Sequence, residues 1–135
     1  MNELKLEEAR LERLPEVMAF IDSFLEQMDC PMKIQMQLDM AVEEVYANIA
    51  HYAYAVGGGP ATVRVAVEEG PTMVITFVDQ GVPYNPLAKP DPDITLSADE
   101  RQIGGLGVYM VKKSMDEIAY RREGDSNVLT IRKRI

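Results

Sequence analysis

Cysteine occurs once, as Cys30, and basic residues are scarce beside acidic ones. A single cysteine excludes an intrachain disulfide. The 14 Lys and Arg against 22 Asp and Glu leave a formal charge of −8. An acidic domain is repelled by a phosphate backbone, which argues against a direct nucleic-acid partner. The basic clusters Arg121-Arg122 and Arg132-Lys133-Arg134 read as solvated strand ends. No stretch supplies the ~20 apolar residues that a membrane span requires. The start, Met1-Asn2-Glu3-Leu4-Lys5-Leu6, lacks the basic segment and apolar block of a signal peptide. These absences lead us to expect a cytoplasmic protein with no membrane association. Acidity leaves nucleotide binding open, because backbone N–H groups, a helix N-terminus and a metal ion can meet phosphate charge.

What remains is an ordinary globular composition. The 135 residues are 47% hydrophobic and 27% charged, enough for one domain with a core. The patterns predict a strand over 3–8 with Leu4 and Leu6 on one face. A helix over 11–28 follows, with Leu14, Val17, Ile21, Phe24 and Leu25 at helical spacing and Pro15 in its first turn. A longer helix over 31–54 carries the stripe Leu38, Val42, Val45, Ile49 and Tyr52, and Gly57-Gly58-Gly59-Pro60 ends it. Val63, Val65 and Val67 alternate with polar residues. The run Met73–Val78 is more continuously apolar, and Glu69-Gly70-Pro71 makes the two a hairpin. Pattern is lost from Gly81 to Ile103, a loop long enough to be functional or mobile. A helix from Val108 to Met115 and strands near 117–122 and 127–134 complete the chain. This order predicts an α/β two-layer sandwich: a mostly antiparallel, mixed five-stranded sheet with three helices on one face, as one domain over 1–135.

Three groups of residues can carry chemistry. Glu44 and Asn48 are four apart on the long helix and share a face, with His51 nearly on the same line. That line lies about a quarter-turn from the apolar stripe, at the rim of the buried face. Glu44 suits a general base, and the Asn48 oxygen suits a hard cation such as Mg²⁺. Asp79 ends an apolar strand, where its carboxylate can accept a hydrogen bond from an adenine amine. Ile75, Phe77 and Val82 would offer a flat apolar floor, and Gly81 would let backbone approach the base. Gly104-Gly105-Leu106-Gly107 precedes a helix whose free N–H groups can cradle phosphate, although it matches neither GxxxxGK[ST] nor GxGxxG. Each group alone is also what a solvated helix face, a plain turn or a hinge looks like.

The order and spacing of the three are more specific. Glu44-Val-Tyr-Ala-Asn48, then Asp79-Gln-Gly81-Val-Pro83, then a long loop, then Gly104-Gly105-Leu106-Gly107-Val108 resembles the N box and the two glycine boxes of the GHKL ATPases. In length and wording the chain is most similar to the anti-sigma-factor serine kinases, from about Leu4 to Arg132. The resemblance implies the Bergerat fold with bound ATP and Mg²⁺. It implies Glu44 as general base, Asn48 as Mg²⁺ ligand, and Asp79 with Gly81 reading adenine. His51, Gly104, Gly105, Leu106, Gly107 and Val108 would complete the nucleotide site, and Thr130 would stand near an adenine-bound water. Residues 85–103 would form a lid; its cations Lys89 and Arg101 take no role from the resemblance, though either could reach the γ-phosphate. The implied reaction is phosphoryl transfer to a serine of an anti-anti-sigma partner of the STAS type. A sigma factor and a second copy of the chain are further implied partners. A module that binds its partner without phosphorylating it, or a kinase controlling another target, fits the same residues. A sensor histidine kinase fits poorly, since the only histidine lies within the proposed nucleotide-site helix.

Overall fold

A computed structural model describes residues 2–54, 58–88 and 105–135, with only the backbone of Gly105 and Leu106. Strand β1 (Asn2–Leu6) is followed by a 3₁₀ turn at Leu11–Arg13 and helix α1 (Leu14–Gln27). Pro15 sits in the first turn of α1, where its missing N–H costs nothing. Val17, Ile21 and Leu25, four apart, are fully buried. The helix ends through Asp29, which takes a left-handed φ of 52°. That reversal lets the N–H of Cys30 reach the carbonyl of Leu25 and the N–H of Asp29 reach that of Glu26, each at 3.1 Å. These two bonds satisfy carbonyls that a helix end leaves open. Pro31 then caps helix α2 (Met32–Tyr52).

Strands β2 (Ala61–Glu68) and β3 (Thr72–Asp79) form the expected hairpin. Helix α3 (Gly105–Ser114), β4 (Glu117–Glu123) and β5 (Ser126–Arg134) close the described chain. The sheet order is β1-β2-β3-β5-β4. Every neighbouring pair is antiparallel, so the expected mixed character is absent among the described strands. The fold is otherwise the anticipated sandwich, with three helices on one face. Val63, Val65, Met73, Ile75, Phe77, Leu129 and Ile131 share a core cluster with the inner sides of α1 and α2. Fully buried Tyr46 keeps its hydroxyl satisfied by donating to the carbonyl of Arg10 at 2.6 Å. Tyr52, by contrast, is half exposed and drops out of the predicted stripe. No helix among the described residues is long and apolar enough to cross a membrane.

Candidate functional site

One cavity opens between α2, the end of β3, the start of α3 and the β4–β5 hairpin. Glu44, Val45, Asn48 and Ile49 supply its α2 wall, and Phe77 and Asp79 come from β3. Tyr84 and Pro86 close one side; Val108, Val111, Ile118, Tyr120, Asn127 and Leu129 complete the lining. The wall is mostly apolar with a few convergent polar groups, the general character of a small-molecule site.

Helical geometry places Glu44 and Asn48 here. Both are half-buried at the edge of a helix whose inner side is sealed in the core. Burial pushes the Glu44 carboxyl above its ordinary value, the Asn48 amide draws it back, and the neighbouring Glu43 charge raises it further. Gly107 packs against it from α3: a Cβ on that glycine would overlap the carboxylate of Glu44. Absence of a side chain at 107 is therefore what lets α3 start beside Glu44.

Asp79 is 5% exposed, and strand pairing fixes it. Its register partner is Asn127, whose Nδ2 donates to Asp79 Oδ1 at 2.9 Å and to the carbonyl of Val82 at 2.8 Å. The N–H of Gly81 donates to the same Oδ1 at 2.9 Å. Two donors on one oxygen orient the carboxylate and leave Oδ2 as the atom it can offer to a ligand. Asn127 Oδ1 in turn accepts from the Tyr120 hydroxyl at 2.5 Å and from Arg122 Nη1 at 3.2 Å. Arg122 Nη1 also donates to the carbonyl of Gly81 at 2.8 Å. The turn after β3 is thus tied to the far hairpin.

Several expectations need correction. Thr130 lies on β5 between Leu129 and Ile131, which face the helices, so strand alternation turns it to the other face of the sheet. The β5 residue that meets Asp79 is Asn127. His51 is exposed, its ring against Tyr52, and does not line the cavity. Three residues past Asn48 is a rotation of about 300°, and at the rim of α2 that carries the ring out of the cavity. Of the proposed apolar floor only Phe77 lines the cavity. Ile75 is fully buried in the core, and Val82 is 56% exposed with its N–H donating to the carbonyl of Ala53. Ile49, Ile118 and Leu129 fill those places. Gly81 is needed for packing: a Cβ there would lie 2.7 Å from Ala53 Cα and overlap its carbonyl. Val108 lines the cavity. Gly105 and Leu106 enter only as backbone at the start of α3, while Gly104, Lys89, Arg101 and lid residues 89–103 lie outside the described residues. Asn127 had no local signal beyond its place in a turn, because its role depends on the β3–β5 register.

This arrangement can be set against known proteins. A profile for the histidine kinase-like ATPase domain matches residues 8–133, nearly all of the chain. The chain belongs to this histidine kinase-like ATPase family. It is 26% identical over 100 residues to serine/threonine-protein kinase BtrW of Bordetella bronchiseptica, covering 73% of this chain and 70% of that one. Among solved structures it resembles the RsbU and RsbW domains of Rv1364c from Mycobacterium tuberculosis, with a TM-score of 0.67 and 13% identity. That match covers 99% of this chain and 32% of the other, so the chain spans about a third of that protein. The SiaB-SiaC complex from Pseudomonas aeruginosa matches with a TM-score of 0.61 and 17% identity, over 98% and 89% of the two chains. At such identities these two likenesses speak to the fold. The resemblance carried by the three boxes therefore holds at the level of family and fold.

Proposed function

We propose that this chain is an ATP-dependent serine kinase that phosphorylates a STAS-type partner and so controls a sigma factor. The observation that carries the reading is the convergence of Glu44, Asn48 and Asp79 on one apolar cavity. The similarity to a serine/threonine-protein kinase supports transfer to a protein hydroxyl rather than hydrolysis alone.

Each residue has a part that its surroundings fit. Asp79, with Oδ1 already satisfied, presents Oδ2 to an adenine amine, while Phe77, Ile49 and Leu129 sandwich the ring. Gly105, Leu106, Gly107 and Val108, together with Gly104, would receive the phosphates at the start of α3, where N–H groups are free of helical partners. No group of three or more His, Cys, Asp or Glu among the described residues could hold a metal. Mg²⁺ keeps most of its waters and takes few protein ligands beside substrate phosphates. Asn48 would supply such a ligand, and the ion when bound neutralises phosphate charge. Glu44, its proton affinity raised by burial, would accept the serine proton.

The test mixes the chain with Mg-ATP labelled at the γ-phosphate and a candidate STAS-domain protein from the same organism. Serine labelling should appear and should vanish in Glu44→Ala. Asp79→Asn should weaken ATP binding by ~1–3 kcal/mol, since an acceptor is lost and a misplaced donor gained. Tight ATP binding with no transfer would instead leave a binding module, and labelling that persists in Glu44→Ala would remove the assigned base.

A further inference from the structure

The outer face of α2 has no part in the site above, yet it is apolar. At 100° per residue, the buried residues Leu38, Ala41, Val42, Val45, Tyr46 and Ile49 mark the side turned to the sheet. Met32, Met36 and Met40 fall on the opposite side, one turn apart, and are 69%, 60% and 58% exposed. Lys33 and Glu43 bring charge to that stripe, half-buried Asp39 flanks it, and Glu44 stands at its end. The solvent side of a surface helix is ordinarily polar, so a helix apolar on both sides is one that something covers. Methionine, unbranched and polarisable, suits an irregular apolar partner.

The stripe leads somewhere. Beyond Met40 it enters a second cavity of about 370 Å³ between α2 and α3. Met40 and Ala41 form one wall, and Gly107 and Met110 the other. Glu44 and Val111 line this cavity and the Asp79 cavity alike. Glu44 therefore borders both cavities. A base that moves a proton from an acceptor hydroxyl during phosphoryl transfer needs the nucleotide on one side and the acceptor on the other. The stripe from Met32 to Glu44 runs about 18 Å at 1.5 Å per residue. That exceeds a single acceptor side chain and matches a protein face.

We infer that the Met32-Met36-Met40 stripe and the α2–α3 cavity dock the phosphoacceptor protein, which brings its serine to Glu44 from the side away from Asp79. This rests on the kinase reading. In the step, the serine oxygen bonds to the γ-phosphorus as the bond from that phosphorus to the β–γ bridging oxygen breaks. ADP leaves with that electron pair, and Glu44 takes the hydroxyl proton. The acceptor's docking face is apolar where it meets the three methionines, with Lys33, Asp39 and Glu43 beside them and Glu44 at the far end.

The variant Met32→Lys with Met36→Lys changes two exposed side chains that do not line either cavity. The KM for the STAS-domain protein should rise at least tenfold, with kcat within about twofold and ATP affinity unchanged. A KM within twofold of the parent's overturns the docking surface. So does a parallel fall in ATP affinity, which would make the stripe part of the nucleotide site. So does a dimer of the parent chain that sediments as a monomer in the variant, which would give the stripe to a second copy. If the parent chain transfers no label, the kinase reading fails separately. Docking is then read by hydroxyl-radical footprinting: protection of Met32 and Met36 by the STAS-domain protein supports it, and unchanged oxidation overturns it.

Discussion

Two glycines make similar clashes with opposite expected consequences. A Cβ on Gly81 would meet rigid backbone, 2.7 Å from Ala53 Cα, at the point where the Val82 N–H donates to the Ala53 carbonyl at 2.8 Å. Ordinary carbon contacts lie near ~3.5–4 Å, so about 1 Å of backbone must move. Overpacking of that kind costs about 1–3 kcal/mol, and the strained hydrogen bond adds about 1. For 135 residues at ~2.1 cal/mol/K per residue, a loss of about 3 kcal/mol lowers Tm by about 10 °C. A Cβ on Gly107 meets only the carboxylate end of Glu44, which can swing aside. Stability should then change little, because alanine also gains up to ~1 kcal/mol over glycine in a helix. The displaced carboxylate is another matter: an error of about 1 Å in a reacting group costs roughly 100-fold in rate. Gly81→Ala and Gly107→Ala are to be compared by thermal melting and by initial rate of serine labelling. A Gly107→Ala chain that transfers at the parent rate would refute the placement of Glu44 beside α3. A Gly81→Ala chain that melts with the parent would refute the rigid-contact argument.

Further outcomes follow from the polar groups. Asn127→Leu removes a donor from Asp79 and from the Val82 carbonyl inside a buried network. Binding of ATP should weaken by ~1–3 kcal/mol with a loss of stability of similar size, seen together by calorimetry and melting. With Glu44 as the proposed base, transfer would need it ionised, and burial raises its carboxyl above the usual 4.5. The rate at saturating ATP should therefore fall as pH drops through a pKa above 4.5, and Glu44→Gln should leave no such limb to measure. Between α1 and α2, Gln35 donates to Asp22 at 3.2 Å, and Asp39 Oδ1 is buried without a partner. Burial first, then the neighbouring Asp22 carboxylate, push the Asp39 carboxyl up to about 7 from 3.8, and its charge bears on Cys30 in turn. The folded chain thus holds a proton that the unfolded chain has released, so stability is full below about pH 4 and is lost as pH rises toward 7. Asp39→Asn should flatten that slope in melts from pH 4 to 8 and stabilise the chain above pH 7 by ~1 kcal/mol, a value reduced for solvent screening.

Local pattern was enough for the elements and for half of the site. Helix α2 was legible because Leu38, Val42, Val45 and Ile49 recur at helical spacing, and the same spacing put Glu44 and Asn48 on one edge of it. The apolar run before Asp79 declared a buried strand, and the glycines after it and before α3 declared close approaches. What those glycines approach was not legible. Gly81 meets the end of α2 and Gly107 meets Glu44 only because the chain brings residues 28 and 63 positions away against them. Thr130 and Asn127 show the same limit in the sheet. Which of them faces Asp79 depends on the register between β3 and β5, and a shift of one residue exchanges the two faces of a strand. The sequence alone therefore determined the periodic features, since helix and strand periods are properties of neighbouring residues. The tertiary structure alone decided which faces meet, because register and helix approach are set by long-range packing that leaves no period in the chain.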